Sequence, residues 1–140
     1  MTDFVEVKTQ DLSGAALDWA VHASFFGNDG PDWDVVGGVF GTVSLRDVRI
    51  GMDGIGQEDV FHPYQPSTDW AQGGPLIEAF KLDLEHDHDR SRPWVSYQIV
   101  DPRLTTKGFA GETPLIAVCR AIVASHFGDT VSVPKELCHE

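Results

Sequence analysis

The sequence predicts an α+β fold, a small and mainly antiparallel sheet packed against two principal helices, and three observations carry that prediction. Runs that alternate apolar and polar residues stand at 4–8, 80–85 and 94–100. Two capped segments of helical character stand at about 13–26 and 113–127. The last two strand runs are joined by a short polar turn at 86–93, a connection that suits antiparallel neighbours. With 140 residues, 41% of them hydrophobic, the chain is long enough for one core and reads as a single domain spanning 1–140.

Taken in order, Phe4-Val5-Glu6-Val7-Lys8 predicts a half-buried strand. Ser13 is placed to cap a helix that runs to about Phe25, with Leu12, Ala15, Ala16, Trp19, Ala20 and Ala23 as its apolar stripe and Gly27 as its stop. Asp18 and His22, four apart, lie beside that stripe at pairing distance. The segment at about 27–60 is glycine-rich and irregular, since eight of the fourteen glycines fall between Gly27 and Gly56. Asn28-Asp29-Gly30-Pro31 reads as a turn there, and Val35–Phe40 and Thr42–Leu45 as short strands. Prolines at 63, 66 and 75 with Gly73-Gly74 argue against one long helix, so a capped turn at Ser67 or Thr68 and a second short helix from Pro75 are expected.

The hairpin of 80–85 and 94–100 follows, and then the clearest element of the chain. Thr113 is a helix cap with Pro114 at the first helical position. Leu115 to Phe127 is apolar almost all round, as a helix central to a core must be, and Gly128 ends it. Val131–Pro134 predicts a terminal strand.

Composition excludes several classes of function. Ten Lys+Arg against 22 Asp+Glu give a net charge of −12, which repels phosphate backbones and speaks against non-specific nucleic-acid or anionic-membrane binding. No apolar run approaches the roughly 20 residues of a membrane span, and Met1–Glu6 does not read as a signal peptide. Cys119 and Cys138 form no disulfide framework; the first reads as a core residue and the second as a surface thiol, which suits the cytoplasm.

The common catalytic and ligand motifs fail on inspection. Gly51 to Gly56 has the spacing of a phosphate loop, but Gln57-Glu58 replace the lysine and hydroxyl that would meet the phosphate. Gly37, Gly38 and Gly41 lack the dinucleotide spacing. His86 and His88, in Glu85-His86-Asp87-His88-Asp89, are weak metal candidates, because Arg90-Ser91 stand where a binuclear hydrolase signature needs Asp-His and Arg92 where a calcium loop needs glycine. There is no Gly-x-Ser-x-Gly elbow, and His62, Ser67 and Asp69 have the residue types of a triad at no recognised spacing. No cofactor is implied.

The proline-bracketed segment at 64–75 is the candidate site. Tyr64 and Trp70 offer stacking surface, Ser67, Thr68, Asp69 and Gln72 offer hydrogen bonds, and Gly73-Gly74 permit close approach to the main chain. The structural alternative is a packed turn in which Trp70 fills the core and Asp69 caps the following helix.

Three blocks resemble the phage NinX-like family of small phage and prophage proteins: Leu12–Val21, Pro66–Glu78, and a closing set of Thr113–Ala117, Arg120, Val123–Ser125, Gly128-Asp129 and Val133-Pro134. The middle block is the most distinctive. The resemblance implies an accessory protein of phage growth in the bacterial cytoplasm and brings no assigned reaction. It also implies that a shared role sits in these blocks, with Asp18-Trp19, the 64–75 loop and Glu112-Thr113-Pro114 converging on one cleft. The expected function is non-enzymatic binding of a small polar metabolite or nucleotide, or of a host protein, with any phosphate met by helix amides or Arg120. The alternatives are an acidic host-protein interaction module and a hydrolase using Asp69 or His62 as general base. A second copy of the chain is a further candidate partner.

Overall fold

The computed structural model describes residues 4–26, 33–34, 42–50, 54, 57–88, 91–101, 104–105 and 108–138. The expected turn at 28–31, the expected strand at 35–40 and Asp89-Arg90 lie outside the described residues. The elements are β1 (Phe4–Lys8), α1 (Gly14–Phe26), β2 (Trp33–Asp34), β3 (Thr42–Ile50), β4 (Gln57–Pro63), α2 (Trp70–Ala79), β5 (Leu82–His86), β6 (Trp94–Asp101), β7 (Leu104–Thr105), β8 (Phe109–Gly111), α3 (Pro114–Phe127) and β9 (Thr130–Pro134). Short 3-10 turns at Thr9–Asp11 and Lys135–Leu137 follow β1 and β9. This is the expected α+β class, with both principal helices in place.

Among the described residues the strands pair antiparallel in three sheets. β1 and β9 form a ribbon with Val5 opposite Val133 and Val7 opposite Val131. β3 pairs with β2 and β4. β6 carries β5 on one edge as the predicted hairpin, paired from Leu82↔Gln98 to His86↔Trp94, and β8 and then β7 on the other.

α3 is the hub, buried from Leu115 through Val123 apart from half-covered Ile116, and it packs on α1, α2, β5, β6, β8 and β9. Its start is as its sequence dictates: the Thr113 side chain accepts a hydrogen bond from the Ile116 N–H at 3.2 Å and Pro114 follows. A side chain at Gly111 would collide with the Ala117 nitrogen and Ile116 Cγ2, so glycine alone lets β8 run this close to the helix.

Arg120 is a correction. Expected as an available cation, its side chain is buried on the inner surface of α3. Its Nε donates to the Leu12 carbonyl at 2.9 Å and its Nη1 to the Ala110 carbonyl at 2.6 Å. Gln10 reinforces the same joint, accepting from the Ala110 N–H at 3.0 Å and donating to the Ala110 carbonyl at 2.7 Å. Glu112 lies 3.7 Å from Arg120 and 3.2 Å from Arg92, so the arginine ties three chain segments together and leaves no free fork for a phosphate.

A second correction concerns residues 70–79, which form one helix in spite of Gly73, Gly74 and Pro75. Asp69 caps it, its carboxylate accepting from the Ala71 N–H at 2.9 Å, and the exposed Pro75 sits inside it. Proline removes one donor, but the ring faces outward, and tertiary packing of Gly73 and Leu76 holds the helix together. Cys119 is buried as expected, whereas Cys138 is half-buried, its thiol 3.8 Å from the Pro134 carbonyl, and is no surface thiol.

Candidate functional site

The segment from Pro63 to Ala79 is a stiff corner held by its own polar groups. Thr68 and Asp69 N–H groups donate to the Gln65 carbonyl at 3.1 and 2.8 Å, closing a helical turn over Pro66, Ser67 and Thr68. The Gln72 amide then clamps the entry strand, accepting from the Gln65 N–H at 2.6 Å and donating to the Pro63 carbonyl at 2.8 Å. A Cβ on Gly73 would run into the Pro66 carbonyl oxygen and come within 2.9 Å of Leu115 Cδ2. The glycine therefore serves the packing of α2 against the turn and α3. At Gly74 a Cβ would meet only Trp70 Cε3, at an ordinary 3.5 Å.

The corner is anchored to α1 by a buried carboxyl. Asp18 is 4% exposed and its Oδ1 accepts the Ser67 N–H at 2.9 Å. Burial pushes the carboxyl up to about 6, against the opposing pull of the Ser67 N–H and hydroxyl. That hydroxyl lies near the carboxylate but, on a residue 2% exposed, makes no hydrogen bond of acceptable geometry. Tyr64 completes this layer: its N–H donates to the Val43 carbonyl at 2.8 Å and its ring meets His22 edge-on at 5.5 Å. Burial, with Cys119 and Asp18 nearby, raises the Tyr64 phenol to about 12, and burial lowers the His22 imidazole.

The loop and the two helices named from sequence thus meet, but by packing. Asp18 joins the turn and Gly73 touches Leu115 just inside α3, while Thr113 spends its side chain capping α3 and Asp69 caps α2. Thr68 is exposed. Trp70 stands out: it does not fill the core but is 56% exposed at the start of α2. Its indole shares the outer surface of that helix with the exposed Ala71, Pro75 and Glu78. His62 lies on β4 with its side chain outside the described residues.

Trp19, the neighbour of Asp18, points elsewhere. With Phe4, Ala23, Phe127, Thr130, Val131 and Ser132 it lines a hollow of about 580 Å³ between α1, the β1–β9 ribbon and the end of α3. Sequence reasoning missed this hollow, although Phe4 on an alternating strand and Phe127 against the closing Gly128 are both apolar residues at places where polar ones are usual. His86 and His88 are exposed, with rings 4.4 Å apart and His86 4.5 Å from the Trp94 ring. Among the described residues no group of three His, Cys, Asp or Glu side chains is gathered as a metal site.

These features define a small α+β protein whose distinctive corner is built for rigidity and exposes one indole, and none of its described helices is long and apolar enough to cross a membrane. The family model described as "Bacteriophage P22, NinX" matches residues 8–126, and the chain belongs to that phage family. The match takes in the Leu12–Val21 and Pro66–Glu78 blocks and most of α3, and it stops before the Gly128–Pro134 tail. No curated protein matches the chain.

Proposed function

We propose that this phage-family protein acts in the bacterial cytoplasm as a non-enzymatic binding protein, docking a host protein through the Trp70 surface of α2 in support of phage growth. The observation that carries the reading is the 56% exposure of Trp70 on a corner held by the hydrogen bonds of Gln72, Asp69 and the Ser67 N–H. An indole held out in water by a preorganised scaffold loses little entropy on contact, and tryptophan is among the residues that dominate interface energies. The outward Trp70, Ala71 and Pro75 give an apolar centre with Glu78 at its edge. A host protein is favoured over a small polar ligand because Gln72, Asp69 and the Ser67 N–H are already engaged inside the corner, which leaves few of the loop's donors and acceptors for a metabolite.

The test is affinity capture from host extract with the wild-type chain and with Trp70→Ala. A host protein retained near one-to-one by the wild type, and reduced about tenfold or more by the variant at unchanged melting temperature, is the expected result. Equal retention by both proteins, with binding that collapses as salt rises, would instead assign the interaction to diffuse charge and overturn the proposal.

A further inference from the structure

The hollow beside Trp19 carries an inference of its own, independent of the Trp70 surface, since no residue of the Pro63–Ala79 corner lines it. At about 580 Å³ it has the size of a small-molecule pocket. Three of its walls are aromatic: Phe4 and Trp19, with ring centroids 6.0 Å apart and planes inclined at 57°, and Phe127. Phe4 is 54% and Phe127 36% exposed, so these two rings keep surface open to solvent, while Trp19 is buried behind them.

The electrostatics select the occupant. The chain carries −12, and among the described residues no cationic side chain lines the hollow. The exposed Glu6 lies directly across the ribbon from Ser132, one of the lining residues, and so projects from the same face. Lys8, opposite Thr130, projects from that face as well and lines a neighbouring hollow with Gln10, Phe109, Asp129 and the shared Thr130. Aromatic faces attract cations through their quadrupoles, and they do so best for ions whose alkyl groups lower the cost of desolvation. Thr130 and Ser132 are exposed beside these rings and supply hydroxyls.

We infer that the Phe4–Trp19–Phe127 hollow binds a small free organic ammonium ion bearing alkyl groups, with the chain's net charge of −12 supplying the long-range attraction.

Choline and its neutral carbon isostere, 3,3-dimethylbutan-1-ol, are the probes, titrated into the full chain at constant ionic strength while the Trp19 indole N–H is followed by NMR. Choline is expected to shift that resonance saturably, with the isostere about tenfold weaker. Phe127→Leu keeps an apolar wall and removes a ring face from a partly exposed position, so it is expected to weaken choline severalfold at unchanged melting temperature. Equal binding of choline and the isostere, an unmoved Trp19 resonance, or full choline affinity in Phe127→Leu each overturns the inference. Tighter binding of a trimethyllysine peptide than of choline overturns it too, by assigning the hollow to a protein partner.

Discussion

The Asp18 carboxylate accepts a hydrogen bond from the Ser67 N–H at 2.9 Å across 49 residues of sequence, and this buried contact joins the first helix to the corner that exposes Trp70. It is a costly way to join two elements, because burial raises the carboxyl to about 6 from an ordinary 3.8.

The cost has a definite pH signature. The folded state holds the proton more tightly than the unfolded chain, so stability from this group is fully present below about pH 4 and is lost as pH rises through about 6. The tighter hold on that proton corresponds to about 3 kcal/mol. Asp18→Asn keeps an acceptor for the Ser67 N–H, and its amide adds a donor near the Ser67 hydroxyl. Thermal melts from pH 4 to 8 should show the variant more stable than the wild type above pH 6, with the gap closing towards pH 4. A gap independent of pH would show that the charge is not the cause.

Adjacent glycines should respond in opposite ways. Gly73→Ala pushes a methyl into the Pro66 carbonyl and Leu115, and is expected to lower stability by about 1–3 kcal/mol in urea unfolding. Gly74→Ala meets an ordinary contact with Trp70 and gains helix propensity, so it should leave stability unchanged or raise it by up to about 1 kcal/mol.

Arg120→Met should be far more damaging than Arg92→Met. The first takes the arginine donor from the buried Leu12 carbonyl and one of two side-chain donors from the Ala110 carbonyl, which keeps Gln10, at a cost of about 2–4 kcal/mol. The second breaks a solvent-screened pair with Glu112 and a long 3.4 Å contact to the Gln10 carbonyl, at about 1 kcal/mol or less. Denaturant midpoints of the two variants measured side by side check the ranking.

The parts of this fold that were legible were those written in local chemistry. Thr113-Pro114 and Gly128 bracket α3 as caps do, and the alternation of Phe4–Lys8 and the flanks of the 86–93 turn pair in the expected way. Local signals failed where distant packing outweighed them. Gly73 and Pro75 read as helix breakers, but Gly73 exists to admit the Pro66 carbonyl and Leu115, partners no short window contains. Arg120 read as an available cation, because its acceptors come from residues 12 and 110, outside its own helix. In the candidate site the exposure of Trp70 follows the stacking reading, whereas the Asp69 cap follows its structural alternative, and no short window divides the two. Asp18 and Trp19 were assigned to one cleft because they adjoin in sequence. Successive helical side chains diverge by about 100°, so the first faces Ser67 and the second lines the hollow with Phe4.

The most direct test of docking through Trp70 uses the chain's four tryptophans as reporters. In 5-fluorotryptophan-labelled protein, with the Trp70 signal assigned by Trp70→Phe, fluorine NMR is recorded before and after addition of host extract. The account predicts that the Trp70 resonance shifts or broadens while the Trp19 and Trp94 resonances hold their positions. A Trp70 resonance unchanged by extract that does perturb another tryptophan would contradict it.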